Sequence, residues 1–464
     1  MLIQRRAQRT VAAPATRAAT GQPLDRPRLT ELARHGFSSL VASGLVQVIN
    51  VVTGVMIARG LGPAGRGQLA AALLWPTALI AIGSLGVIEA VPYFTSRWPE
   101  KATEIASTGM LLAALESAAV MAGGYFLMPL VLGHYGSEVV YDGRLYLLSA
   151  PLTLLTLVGA EVLRGRLAIS AYNLVRVFVV FWTLVGLLPL LAVHRFTVPS
   201  ILAVYLSANL LTLTLTLVLL YGYGVRGFRA RPRLISGMLG YGVKSHAGNI
   251  SRLANLRTDQ TLISLFFAPV SLGLYSVAVT VNSPVNLIGI SVGLVALPAI
   301  GRCQSPADMK MYFGRFVQIV LALSGLAVLG LALLAPMLIT LFFGPAFAPA
   351  SWPARLLLLG GLFMSVNHVL AASLNAFNKP LVPSLALMLA TGVTIIALAG
   401  LLPRLGIVGA AAASVLSSST ATACMSWYAI RRLRVPLRHL LPNGSDVAWL
   451  WSRLGRRDPA GLVP

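Results

Sequence analysis

The chain has 464 residues, 57% of them hydrophobic and only 11% charged, and its 36 Lys or Arg against 13 Asp or Glu give a formal net charge of +23. A soluble domain carries about a quarter charged residues, so this composition excludes a water-soluble globular protein. Runs such as "LIGISVGLVALPAI" do not alternate over ~10-residue segments, which excludes a transmembrane barrel. An all-α polytopic membrane protein is left.

Residues 1–35 are mostly polar and basic. Arg5-Arg6 stands well ahead of the first apolar stretch and no small-residue cleavage pattern follows, so this segment is expected to be a retained cytoplasmic tail. Twelve windows then reach the roughly 20 apolar residues a helical span needs: about 36–58, 69–95, 104–131, 144–163, 169–192, 198–222, 236–266, 273–298, 316–340, 355–376, 381–402 and 407–429. They divide into a first lobe at 36–223 and a second at 236–430. The basic linker "GVRGFRARPRLI" at 224–235 joins them, and a second basic tail runs over 431–464.

With both termini inside, 28 Lys or Arg fall on inner segments. Only six fall outside: Arg59, Arg66, Arg144, Arg195, Arg355 and Arg404. That asymmetry sets the orientation. It also directs the positive charge toward anionic inner-leaflet lipid rather than nucleic acid. Cys303 and Cys424 belong to no CxxC or Cys/His cluster, so neither a disulfide framework nor a metal site is expected.

The stretch "ARGLGPAGRGQLAAALLWP" (58–76) is unusual for a connection between spans, and its pattern returns. Pro63, Gly67, Gly83, Ala90 and Pro92 align with Pro269, Gly273, Gly289, Ala296 and Pro298 at one offset of 206 residues; Gly133, Arg144 and Leu163 align with Gly344, Arg355 and Leu374 at 211. Six spans per repeat is an even number, so the repeats run parallel about an axis along the membrane normal. Alternating-access transporters are built this way, with cargo handled between the lobes.

Ionisable groups within spans mark candidate sites. Span seven, "VKSHAGNISRLANLRTDQTLISLFF", is the densest. Ser245, Asn249, Arg252 and Asp259 recur at helical spacing, with Lys244, Asn255 and Arg257 beside them. Arg252 lies too deep to snorkel to the headgroups. Guanidinium groups suit phosphate through paired N–H donors, so one expectation is the cationic wall of a cavity; the other is an internal ion pair of Arg252 or Arg257 with Asp259. Span one carries Ser43, Gln47, Asn50 and Gly54 at similar spacing and ends at Arg59, without an acid. Glu89, Glu116 and Glu161 in spans two to four join Asp259 as candidates for coupling to a proton or sodium gradient. Each is equally able to serve as a bonded interior group, as is His368. No GxxxxGK[ST] motif and no cluster of catalytic type in the loops is found, so neither a nucleotide cofactor nor an enzymatic function is expected.

"ARGLGPAGRGQLAAA", "LFFGPAFAPASWPARLLLLGGLFMSVNHVLAASLNAFNKP" (341–380) and "LLPRLGIVGAAAASVLSS" (401–418) together resemble the polysaccharide transporter family. These are Wzx-type oligosaccharide (O-antigen) flippases, in the superfamily that also holds multidrug/toxin extruders and lipid II flippases. The likeness covers about 36–430. It implies two six-helix lobes that open alternately to each side of the bacterial cytoplasmic (inner) membrane. The implied cargo is a polyprenyl-diphosphate-linked oligosaccharide for O-antigen (lipopolysaccharide), capsule or exopolysaccharide, with polysaccharide polymerase or assembly proteins as candidate partners. By the same resemblance Arg252, Arg257 and Arg59 stand where the lipid II flippases carry cavity arginines. The extruders use an acid in span one, which this chain lacks. A cation-coupled drug or metabolite antiporter on the same fold, and a membrane enzyme or scaffold of glycan assembly, are the alternatives.

Overall fold

The structure, a computed structural model, describes residues 29–193 and 195–436; at 29–35, 37 and 247–257 it describes the backbone only. The tails at 1–28 and 437–464 lie outside the described residues. Among the described residues there are twelve α-helices and no strand. They are α1 (Leu29–Gly83), α2 (Val87–Arg97), α3 (Ala102–Leu132), α4 (Ser137–Tyr146), α5 (Ser149–Gly165) and α6 (Ile169–Ala192), then α7 (Val198–Gly222), α8 (Pro232–Phe266), α9 (Pro269–Gly301), α10 (Pro306–Phe343), α11 (Ser351–Ala376) and α12 (Leu381–Arg431).

Nine stretches of these are long and apolar enough to cross a membrane. Two of the nine, 46 and 51 residues long, are broken by a glycine out of helical geometry, Gly62 at φ 65° and Gly406 at φ 57°. Each is therefore two passes joined by a tight turn at a residue with no Cβ. α8 is long enough to span but far more polar than the other long helices, and it is not among the nine. Large apolar side chains dominate the outer surface, Leu130 at 80% exposure and Phe126 at 79% among them. A surface of that kind is stable against lipid and aggregates in water. The chain is a multi-pass membrane protein.

Two departures from the predicted spans matter. Span two, expected as a continuous helix over 69–95, is interrupted: α1 ends at Gly83, α2 begins at Val87, and Leu85 and Gly86 between them have φ of 41° and 82°. Span four begins earlier than expected, at Ser137, and is divided at Leu147–Leu148.

One end of the bundle carries Arg97, Lys101, Arg164, Arg166, the 226–233 arginines, Arg302, Lys379 and Arg431–Arg432 and is called the basic end; the other is the far end. At the far end the repeated residues meet one another. A Cβ on Gly67 would overlap the carbonyl oxygen of Pro269, and one on Gly273 would overlap that of Pro63. The two halves thus exchange the same contact, as a pseudo-two-fold requires.

The same relation appears in the next helices. Gly136 and Gly344 share one conformation (φ 101°, ψ 161° and φ 104°, ψ 162°) and each opens the next element. That pairs Gly344 with Gly136 rather than with the Gly133 of the sequence alignment. Arg144 Nε donates to Tyr125 O at 3.1 Å and Arg355 Nε to Ala332 O at 3.0 Å, so the aligned arginines do the same work.

Gly67→Ala and Gly273→Ala are each expected to destabilise the protein by about 1–3 kcal/mol, the usual penalty for overpacking. Both should lower the melting temperature in detergent. Gly325→Ala, where a Cβ meets nothing within 4 Å, should leave it unchanged or raise it; equal melting temperatures for all three would contradict the contact.

Candidate functional site

The halves touch at both ends of the bundle, and what lies between the contacts is the candidate site. At the far end, beside the glycine contact, Arg59 Nε donates to Phe342 O at 2.7 Å and its terminal nitrogen to Leu341 O. These carbonyls belong to the last turn of α10, where unpaired C=O groups and the helix dipole both favour a cation. Trp75 Nε1 adds a bond to Ser264 Oγ on α8 at 3.2 Å.

Toward the basic end, the interruption of span two receives α8. Gly86 and Gly242 approach so closely that a Cβ on either would overlap the other's backbone. The rings of Tyr93 and Tyr241 stack at 4.4 Å. His246 Nε2 lies 3.1 Å from Ile82 O, in the final turn of α1, and its Nδ1 is 3.9 Å from Glu89 Oε1. Before α8 begins, the linker docks on α3: Arg229 N donates to Ser107 Oγ and Arg231 N to Thr108 Oγ1, both at 3.0 Å, and Arg231 pairs with Glu104 at 3.0 Å.

α8 therefore crosses between the halves. Its basic-end portion packs on α2 and α3 of the first half, although the sequence assigns it to the second. Its far-end portion packs on α9 and α12: Ile263 is fully buried in one cluster with Tyr275, Leu402 and Ala410, and the Tyr275 hydroxyl donates to Asp259 Oδ2. The helical backbone of 247–257 runs between these two anchorages.

Asn249, Arg252 and Arg257, the centre of the sequence expectation, lie in that stretch, and their side chains are outside the described residues. The others are placed as follows. Arg59, expected as a cargo-binding residue, donates from its guanidinium to α10 carbonyls at the far-end contact. Ser43 receives Arg176 of α6 at 3.2 Å and so faces a neighbouring helix of its own half; Gln47 is half-buried, and Asn50 and Lys244 are exposed. Asp259 accepts from Tyr275 and from Gln260 N (2.7 Å), within the packing of the second half. His368 Nε2 lies 3.0 Å from Asn286 Oδ1, which is the interior-group alternative for that residue.

Glu89, Glu116 and Glu161, read separately in the sequence, lie on three helices of the first half that pack against one another, α2, α3 and α5, with Glu89 the shared neighbour of the other two. Beside them is a cavity of about 290 Å³ whose lining includes Thr77, Ser84, Glu89, Tyr146, Ser149 and His246. The sequence reading missed His246, Tyr146 and Ser149. A signal existed for the last two: Tyr146, Ser149, Thr153, Leu157, Glu161 and Arg164 recur every three or four residues and so share one helical face.

A sequence profile of the polysaccharide biosynthesis protein family matches residues 56–352, more than half of the chain. The chain belongs to this family. No curated protein sequence matches it at a significant level. Among solved structures, the lipid II flippase MurJ in an inward closed conformation superposes with a TM-score of 0.72 at 14% identity, covering 90% of this chain and 93% of that one. An inward-facing multidrug resistance MATE transporter of the MOP superfamily gives 0.68 at 15%, over 85% and 98%. The eukaryotic MATE transporter AtDTX14 gives 0.59 at 13%, over 89% and 98%. At these identities the likeness is one of fold: this polysaccharide biosynthesis family member has the architecture of MOP-superfamily flippases and transporters.

If Arg59 holds the far end shut, Arg59→Ala should expose residues beneath it. In a Cys303→Ser, Cys424→Ser background, Cys introduced at the fully buried Ser264 should react with a membrane-impermeant thiol reagent several-fold faster when Arg59→Ala is added. An unchanged rate would remove Arg59 from the closure.

Proposed function

We propose that this protein carries a polyprenyl-diphosphate-linked oligosaccharide from the cytoplasmic to the outer leaflet of the bacterial cytoplasmic membrane by alternating access. Both termini lie in the cytoplasm, no chemical step is involved, and the product feeds O-antigen, capsule or exopolysaccharide assembly. The single observation that carries this is the placement of α8: its polar, doubly arginine-bearing centre runs between two contacts that join the halves at opposite ends of the bundle. A transporter needs a barrier on each side of its cargo, and the family and the shared flippase fold agree with one.

The chemistry of α8 fits this cargo better than a purely apolar one. A charge at mid-membrane costs at least ~2.5–3.5 kcal/mol on an insertion scale, so two arginines in the 247–257 stretch need a compensating function. A diphosphate offers several oxygens for paired N–H donors, the sugars offer hydroxyls to Asn249 and its neighbours, and the prenyl tail stays in lipid. Anionic inner-leaflet lipids meet the basic end, and polysaccharide polymerase or assembly proteins are the partners such a product requires. A cation-coupled antiporter on the same fold is the second reading, favoured by the carboxylates gathered around Glu89.

In vesicles holding only this protein and a labelled lipid-linked glycan, Arg252→Ala should slow crossing about tenfold or more, equivalent to ~1.4 kcal/mol, and more than Arg257→Lys does. Insertion of both variants should be normal. Wild-type crossing in Arg252→Ala would contradict the assigned role, and expulsion of small cationic compounds without glycan movement would favour the antiporter.

A further inference from the structure

Glu116 stands out among the buried charged groups because neither of its carboxylate oxygens has a partner. It sits at mid-length of α3 with 7% of its surface exposed, and both carboxylate oxygens are buried without a hydrogen-bond partner. A carboxylate stripped of water and given no donor is strongly disfavoured as an anion. Such a group must either take up a proton or hold a cation.

The surroundings choose between these. The helices packed against α3 are α1, α2, α4, α5 and α8. From α2 comes Glu89; from α5 come Glu161 and Arg164, paired with each other at 2.7 Å; from the end of α4 comes Tyr146; from α8 comes His246. α1 supplies Thr77 to the cavity wall and, toward the far end, Arg66, which is coupled electrostatically to Tyr205 of α7. Glu104 and Arg231 form their own pair at the basic end. Among the described residues of α8, His246 stands with its Nδ1 3.9 Å from Glu89 Oε1. Among the described residues no three His, Cys, Asp or Glu are gathered as ligands around one ion.

We propose that Glu116, with Glu89 as its acidic neighbour, is a proton-binding site of the first half. Glu116 is sealed from the cavity of about 290 Å³, and Glu89 is the carboxylate of the group that lines it. The polar face of span four leads away from that cavity, through Tyr146, Ser149 and Thr153 on one side and Glu161 and the half-exposed Arg164 on the other. His246 closes one wall from the other half, so parting of the α2–α8 contact removes that wall and admits water to the carboxylates. The proton site and the basic-end contact thus share residues, which is the arrangement that ties an ion to a conformational change. The proposal goes beyond the assignment of cargo and does not depend on it.

Infrared difference spectroscopy on the full-length protein in lipid nanodiscs, with no glycan added, tests it. At neutral pH the wild type should show a carboxylic-acid C=O band that shifts in heavy water and is lost in Glu116→Gln. The band should remain in Glu89→Gln and in Glu104→Gln. Should Glu116→Gln fail to insert, Glu116→Asp should keep the band at a moved frequency. Exchange of sodium for choline should leave it unchanged. Absence of the band at neutral pH, its survival in Glu116→Gln, or its appearance only when sodium is removed would overturn the proton site. Because no cargo is present, none of these results bears on the glycan assignment, and a failed vesicle assay with Arg252→Ala leaves this site standing.

Discussion

Two backbone contacts between glycines set where the halves of this protein touch. Gly67 and Gly273 allow the far ends to close on each other's proline carbonyls, and Gly86 and Gly242 allow α8 to enter the interruption of span two toward the basic end. In a membrane the helices gain no hydrophobic advantage from leaving lipid for one another. Close approach of small residues and polar bonds must supply the association. A side chain at any of these four positions would hold the halves apart, so both contacts rest on the absence of a Cβ.

The unusual polarity of α8 makes sense within that frame. The helix belongs by sequence to the second half, leans on the first half near the basic end, and returns to the second near the far end through Ile263 and the Tyr275–Asp259 bond. An element anchored in both halves reports their relative position along its whole length. Its polar centre spans the interval between the two contacts, and Glu89 of the first half meets it at His246. The proposed cargo-binding stretch of α8 and the proposed proton site on α3 are thereby neighbours that use different residues.

Much of the architecture was legible because Gly and Pro carry backbone constraints that apolar residues do not. The 206-residue offset survives in Pro63, Gly67, Pro269 and Gly273 since each has a conformational or contact reason to persist, while the Leu and Ala around them are interchangeable in lipid. That these same residues touch was not legible, because a contact between halves leaves no local pattern. The interruption at Leu85 and Gly86 was hidden for a similar reason: "GSLG" reads as ordinary apolar helix until Gly242 is seen to occupy the gap. Glu89, Glu116 and Glu161 were each recognisable as costly, but spacing along the chain says nothing of their convergence from three helices. The partners of Arg59 were not legible because sequence gives a guanidinium its depth and not its direction; the C-terminal carbonyls of α10 engage it.

The central claim is that the far-end and basic-end contacts are alternating barriers. Spin-label distances in lipid test it most directly, with one pair at Ala64 and Ala346 across the far end and another at Ser96 and Arg233 across the basic end. The predicted result is two populations in which one pair lengthens as the other shortens, never both long together. Distances that stay fixed at both ends, or that open at both ends at once, would contradict it.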